Sequence, residues 1–119
     1  MLKKLLLGNG VKDSSGFIVR RGSLYSIRYS DNFIDAEVRC EYRFAPESEE
    51  ETGFWAKLQK MVMSEKLAGV TIWPETLKVM KKGGYIDISN EAQKIVHQRI
   101  REGMEFLGAA VEMKQGMVD

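Results

Sequence analysis

The chain has few of the residues from which reactive centres are built. It carries one cysteine and one histidine in 119 residues. A single cysteine excludes an intramolecular disulfide and any zinc site of the multi-cysteine kind, and a single histidine excludes paired-histidine metal motifs. Carboxylates are plentiful but never at EF-hand spacing. The glycine-containing stretches GNG near the start and KKGGY later lack the Walker pattern and the dinucleotide fingerprint, and read as turns. No cofactor or metal is expected.

An excess of either charge is also missing. Lys+Arg 18 against Asp+Glu 17 gives net +1, so no global field recruits nucleic acid or an anionic membrane. No helix-turn-helix signature is present either. Long apolar runs are absent. The stretch Leu5 to Leu7 is far shorter than the roughly 7–15 residues of a signal-peptide core. Nothing approaches the roughly 18 apolar residues of a membrane-crossing helix. A cytoplasmic protein is expected, which fits the scarcity of cysteine.

What remains is an ordinary globular composition, 44% hydrophobic and 29% charged, long enough for one domain over residues 1–119 to hold a core without metals or disulfides. No repeat, low-complexity segment or linker divides it. Residues 2–7 suit a first strand or an N-terminal arm. Turns follow at Gly8-Asn9-Gly10 and Ser14-Ser15-Gly16, a second strand at residues 17–21, a hairpin turn at Arg20-Arg21-Gly22-Ser23 and a third strand at residues 24–29.

Residues 33–44 form the cleanest strand. Ile34, Ala36, Val38, Cys40, Tyr42 and Phe44 lie on one face; Asp35, Glu37, Arg39, Glu41 and Arg43 lie on the other. This strict period of two belongs to an antiparallel strand with one wet side, whose charges can pair across to Arg28 and Arg20. After the acidic loop PESEEET, the residues Phe54, Leu58, Met61, Val62 and Met63 outline a helix ending near Ala68-Gly69. Residues 70–73 read as a short strand broken by Pro74, residues 75–82 as a helical turn or a loop, and residues 85–88 as a strand.

The last helix organises the chain. Asn90 serves as its N-cap with Gln93 completing a capping box, Ser89 being the competing cap. Ala92, Val96, Ile100, Gly103 and Leu107 form a stripe, with Ile95 and Phe106 widening it. Lys94, Gln98, Arg101, Glu102 and Glu105 fall mostly opposite. Gly108 suits a left-handed C-terminal cap, and residues 111–113 form a final strand. Gly103 costs about 1 kcal/mol of helix propensity relative to Ala, a cost that close approach of another backbone would justify. The expected fold is α+β: an antiparallel sheet of about five to six strands with two helices packed on one face.

Candidate chemistry is sparse. His97 has no orienting partner in the pattern and reads as a boundary helix residue. Cys40, on the apolar face of the long strand, reads as a buried hydrophobe rather than a thiolate. Glu47, Glu49, Glu50 and Glu51 are the densest charge cluster, either a solvated loop or an acidic patch for a basic partner. Lys78, Lys81 and Lys82 make a basic counterpart too small for nucleic acid. Trp55 beside the first helix is an open candidate for a binding anchor, whereas Trp73 at a strand end reads as structural.

The run TIWPETLKVMKKGG, followed by IDISNEAQKIVHQRIREGMEFLGAAVEM, resembles the C-terminal half of a family of small bacterial immunity proteins from polymorphic-toxin systems, including contact-dependent growth inhibition. The resemblance rests on Ile72-Trp73-Pro74, Ile95 or Val96, Arg99-Ile100 and Phe106-Leu107-Gly108. GFIVRRGSLYSIRYS and the long strand match more loosely, and the helix expected before Ala68 has no counterpart. The resemblance implies a protein without catalytic residues that binds and neutralises a cognate toxin domain by covering its active site or a nearby surface. The acidic loop and Trp55 are the expected partner-binding residues. A second reading is a phage or mobile-element accessory protein that binds a host protein. A small enzyme would require Cys40 or His97 in an open pocket beside a carboxylate.

Overall fold

The computed structural model describes residues 4–7, 10–13, 16–45 and 66–115. They form one eight-stranded sheet and one helix, an α+β arrangement dominated by the sheet. The strands β1 (Lys4–Leu7), β2 (Gly10–Asp13), β3 (Ile18–Arg21), β4 (Ser26–Ser30), β5 (Asp35–Ala45), β6 (Lys66–Lys81) and β7 (Gly84–Ile86) follow one another as an antiparallel meander. Helix α1 (Asn90–Phe106) then crosses over, and β8 (Ala110–Met113) returns to pair with β6 in parallel. A parallel pair needs such a crossover. β8 occupies the stretch of β6 from Gly69 to Ile72 and β7 the stretch from Val79 to Lys81.

The period-two alternation, once in register, writes two unlike faces. Val11, Val19, Tyr29, Ala36 and Val79 are successive cross-strand partners over five strands, and all are buried. Ile27 opposite Val38, and Cys40 opposite Ile72, extend the same layer. α1 lies over β2, β3, β4 and β8 and buries Val96, Ile100, Gly103 and Met104 there. Ile100 and Met104 are fully enclosed, worth roughly 1.5–3 kcal/mol each by apolar burial. What crowds Gly103 most closely is side chain rather than another backbone: a Cβ there would stand 2.8 Å from Val19 Cβ and 3.1 Å from Val11 Cγ1.

Several expectations are corrected. The sheet has eight strands rather than five to six: β2, four residues long, is too short to show a period, and β6, far longer than expected, pairs with β7 and β8 along separate stretches. One helix, not two, is found among the described residues. The stripe Phe54, Leu58, Met61, Val62 and Met63 lies outside them, but its expected end does not: residues 66–69 are strand, with Leu67 opposite Phe44 and Gly69 opposite Arg43. Nor does Pro74 end the strand, and residues 75–81 belong to β6 rather than to a helical turn or loop. The register explains this. It jumps from Glu37↔Lys78 to Arg39↔Trp73, so residues 74–77 bulge opposite Val38 alone. Proline, which lacks an N–H, is tolerated where the ladder is interrupted. Thr76 closes the gap: its Oγ1 accepts the Arg39 N–H at 2.9 Å and donates to the Trp73 carbonyl at 2.7 Å.

The helix ends hold one correction and one agreement. Ser89, not Asn90, is the N-cap: it keeps a non-helical ψ of 156° and its Oγ accepts the Ala92 N–H at 3.1 Å. Gln93 instead reaches back with Nε2 to the Ile88 carbonyl. At the other end Gly108, at φ 97°, closes a Schellman pair, Gly108 N–H to Glu105 and Ala109 N–H to Met104. Ile95 and Phe106 do not widen the buried stripe; they are 53% and 48% exposed, and Met104 takes the inward place.

Candidate functional site

The two residues with intrinsic reactivity are separately accommodated. Cys40 is buried in the core layer, and burial pushes its thiol up to about 11, only partly offset by the Tyr42 hydroxyl and the Arg21 charge. It is a neutral thiol at pH 7 and a poor nucleophile. His97 lies where two shallow hollows meet between α1 and the β6 bulge, one of about 620 Å³ and one of about 280 Å³, both lined by Pro74 and Lys94. Cys40 lines neither hollow. Burial lowers the His97 pKa and favours the neutral imidazole, whose Nδ1 is enclosed without a hydrogen-bond partner among the described residues.

The best-developed polar cluster was not legible in the sequence. The Tyr29 hydroxyl donates to Asp31 Oδ2 at 2.6 Å and accepts from Arg99 Nη1 at 2.6 Å. Asp31 Oδ1 accepts the Phe33 and Ile34 N–H groups at 2.7 and 2.8 Å, fixing the β4–β5 turn. The Arg99 guanidinium also sits 4.7 Å from the Phe17 ring centroid. Burial, then the hydrogen bond to Asp31, pushes the Tyr29 phenol up to about 12. For Asp31, burial would raise the pKa, but hydrogen bonds from Tyr29, Ile34 and Phe33 and the charge of Arg99 outweigh it and hold the carboxyl below its ordinary value. Each group has its partners inside the cluster, which ties α1 to a sheet turn.

The other sheet face is different. Arg20, Arg28, Glu37 and Lys78 are successive cross-strand partners on the side away from α1. Beside that row run Lys12, Ile18, Ser30, Asp35, Met80 and Tyr85. The expected pairing to Arg28 is present, Arg28 Nε to Glu37 Oε2 at 3.3 Å. Arg20 faces Arg28 instead of a carboxylate. A hollow of about 380 Å³ opens between Ile18, Arg20, Arg28, Ser30, Asp35 and Met80. A second, of about 650 Å³, forms beside the bulge and includes Tyr25, Glu37, Arg39, Glu75 and Lys78. Tyr25 and Tyr85 stand 61% and 73% exposed at the margins.

The expected partner-binding residues Glu47, Glu49, Glu50, Glu51 and Trp55 lie outside the described residues. The chain leaves the described structure at Ala45 and re-enters at Lys66, which are direct partners at the end of the β5–β6 ladder. Near that end the Arg21 guanidinium lies 5.1 Å from the Tyr42 ring and 4.8 Å from the Phe44 ring. Among the described residues no group of three or more His, Cys, Asp or Glu side chains is placed to hold a metal, and no helix is long and apolar enough to cross a membrane. Comparisons with protein families, curated proteins and solved structures find no match.

Proposed function

We propose that this protein is a non-enzymatic immunity protein of the cytoplasm, which binds a cognate bacterial toxin domain and blocks its active site or an adjoining surface. The observation that supports this reading is the sheet face away from α1: a broad array of charged side chains that includes Arg20, Arg28, Arg39 and Lys78, hollowed in two places and edged by exposed Tyr25 and Tyr85. Arginine and tyrosine are the residues that anchor protein interfaces, while flanking charges steer association. The acidic segment Glu47, Glu49, Glu50 and Glu51, with Trp55, is the second proposed contact, directed at a basic part of the toxin. The C-terminal resemblance to immunity proteins, through Ile72-Trp73-Pro74 and Phe106-Leu107-Gly108, agrees with this reading.

The test is affinity purification of the tagged protein from its own organism's lysate, followed by co-expression with any partner recovered. The expected partner is the C-terminal domain of a large secreted protein, retained at one-to-one stoichiometry, whose toxicity to a host cell is relieved by this chain. Retention of a phage or host regulatory protein with no toxicity to relieve would replace the immunity reading with that of an accessory protein.

A further inference from the structure

The open face carries two arginines in an arrangement that lowers stability unless something else meets them. Arg20 on β3 is directly opposite Arg28 on β4, and like charges directly opposite on a sheet repel. Glu37 approaches from the β5 side only and engages Arg28. Arg20 makes no ion pair among the described residues. Asp35, the carboxylate that lines the hollow, accepts the Ser30 hydroxyl at 2.7 Å and makes no ion pair with Arg20. On the other flank the direct partner of Arg20 is Gly10, which has no side chain to set against the arginine and where a Cβ would fall 2.4 Å from Arg20 Cβ.

We propose that the hollow between Arg20 and Arg28 receives a glutamate side chain from an extended acidic segment of the protein partner. Guanidinium groups match a planar carboxylate through paired N–H donors, and one carboxylate placed between Arg20 and Arg28 replaces their mutual repulsion by attraction and supplies Arg20 with the countercharge that Glu37 gives Arg28. Ile18 and Met80 also line the hollow, and apolar contact favours the methylenes of a glutamate over a bare inorganic anion. Tyr85, the register partner of Met80 and 73% exposed, continues that apolar margin. The site rests on the protein-binding reading above and supplies the chemistry of the partner at this face.

The experiment is a titration of the isotope-labelled full chain with a capped tetraglutamate peptide, followed by backbone amide and arginine Nε signals. A capped tetralysine peptide and inorganic phosphate serve as comparisons. The expected result is saturable shifts at Ile18, Arg20, Arg28 and Ser30 with tetraglutamate, weakening as salt rises. Arg20→Gln and Arg28→Gln should each lower affinity about tenfold, the loss of one charge-assisted contact. Arg101→Gln on α1 should leave it unchanged. The absence of saturable shifts, an undiminished affinity in Arg20→Gln, or tighter binding of phosphate than of tetraglutamate at these residues would each overturn the proposal. The toxin reading is tested separately. A toxin domain captured equally by Arg20→Gln sinks this inference and leaves immunity standing, whereas tetraglutamate binding without any toxin partner does the reverse.

Discussion

The two faces of one sheet use the same alternating strands to opposite ends. On the side of α1, Val11, Val19, Tyr29, Ala36 and Val79 are buried, the helix lies over β2, β3 and β4, and the polar groups Tyr29, Asp31 and Arg99 complete one another. On the opposite side, Arg20, Arg28, Glu37 and Lys78 meet solvent, and the one cross-strand ion pair of that row among the described residues, Arg28 with Glu37, leaves Arg20 facing a like charge. A period of two specifies both faces equally well. It does not specify that both partners belong to the same chain. Burial and satisfied hydrogen bonding mark the face that holds the fold together; opposed like charges at a hollow mark the face available to something else.

Substitutions on the two faces should therefore separate cleanly. The largest expected effect is at Ile100, fully enclosed between α1 and the sheet. Ile100→Ala should cost about 2–5 kcal/mol in denaturant unfolding, with a cavity left behind. Gly103→Ala offers a test of sign. Helix propensity alone predicts a gain of about 1 kcal/mol, but a Cβ 2.8 Å from Val19 Cβ predicts a net loss of about 1–2 kcal/mol through overpacking. A more stable Gly103→Ala variant would mean that α1 does not approach β3 this closely.

Arg99→Ala should cost about 1–3 kcal/mol, because it strips a donor from Tyr29 and the countercharge from Asp31. A double-mutant cycle with Tyr29→Phe should show coupling between the two positions. Smaller still is a pH effect. His97 has a folded pKa below its ordinary 6.5, so the unfolded chain takes up the proton first and stability falls as pH drops from about 6.5 toward the folded value. Asp31, also depressed, contributes stability that is present above its ordinary 3.8 and is lost as pH falls further through its folded value. His97→Gln should flatten the upper window and leave the lower one. On the open face, Arg20→Glu should change stability by only a few tenths of a kcal/mol, and in the favourable direction, since it replaces repulsion opposite Arg28 by attraction.

The sequence was most readable where periodicity was long and local. β5 alternates strictly over its length, and the inward and outward residues fall as the alternation requires from Asp35 to Glu41. The later part of α1 and the left-handed Gly108 were legible for the same reason. Local patterns failed where distant residues decide. Pro74 looks like a strand breaker until Thr76 is seen to satisfy Arg39 across the bulge. Tyr29 and Arg99 are joined only by the tertiary fold, and no spacing in the chain announces them. The opposition of Arg20 and Arg28 depends on the β3–β4 register, which the hairpin turn sets and composition does not. The acidic run and Trp55, drawn from charge density and residue type alone, lie outside the described residues.

The central claim is that the helix-covered face makes the fold and the open face makes the interaction. The most direct measurement is a paired one on Arg20→Gln/Arg28→Gln, which removes both charges without placing a new carboxylate opposite Glu37: thermal unfolding, and capture of the protein partner held by the unaltered chain. The account predicts an unfolding midpoint close to that of the unaltered protein together with loss of the partner. Undiminished capture, or a collapse in stability comparable to Ile100→Ala, would contradict it.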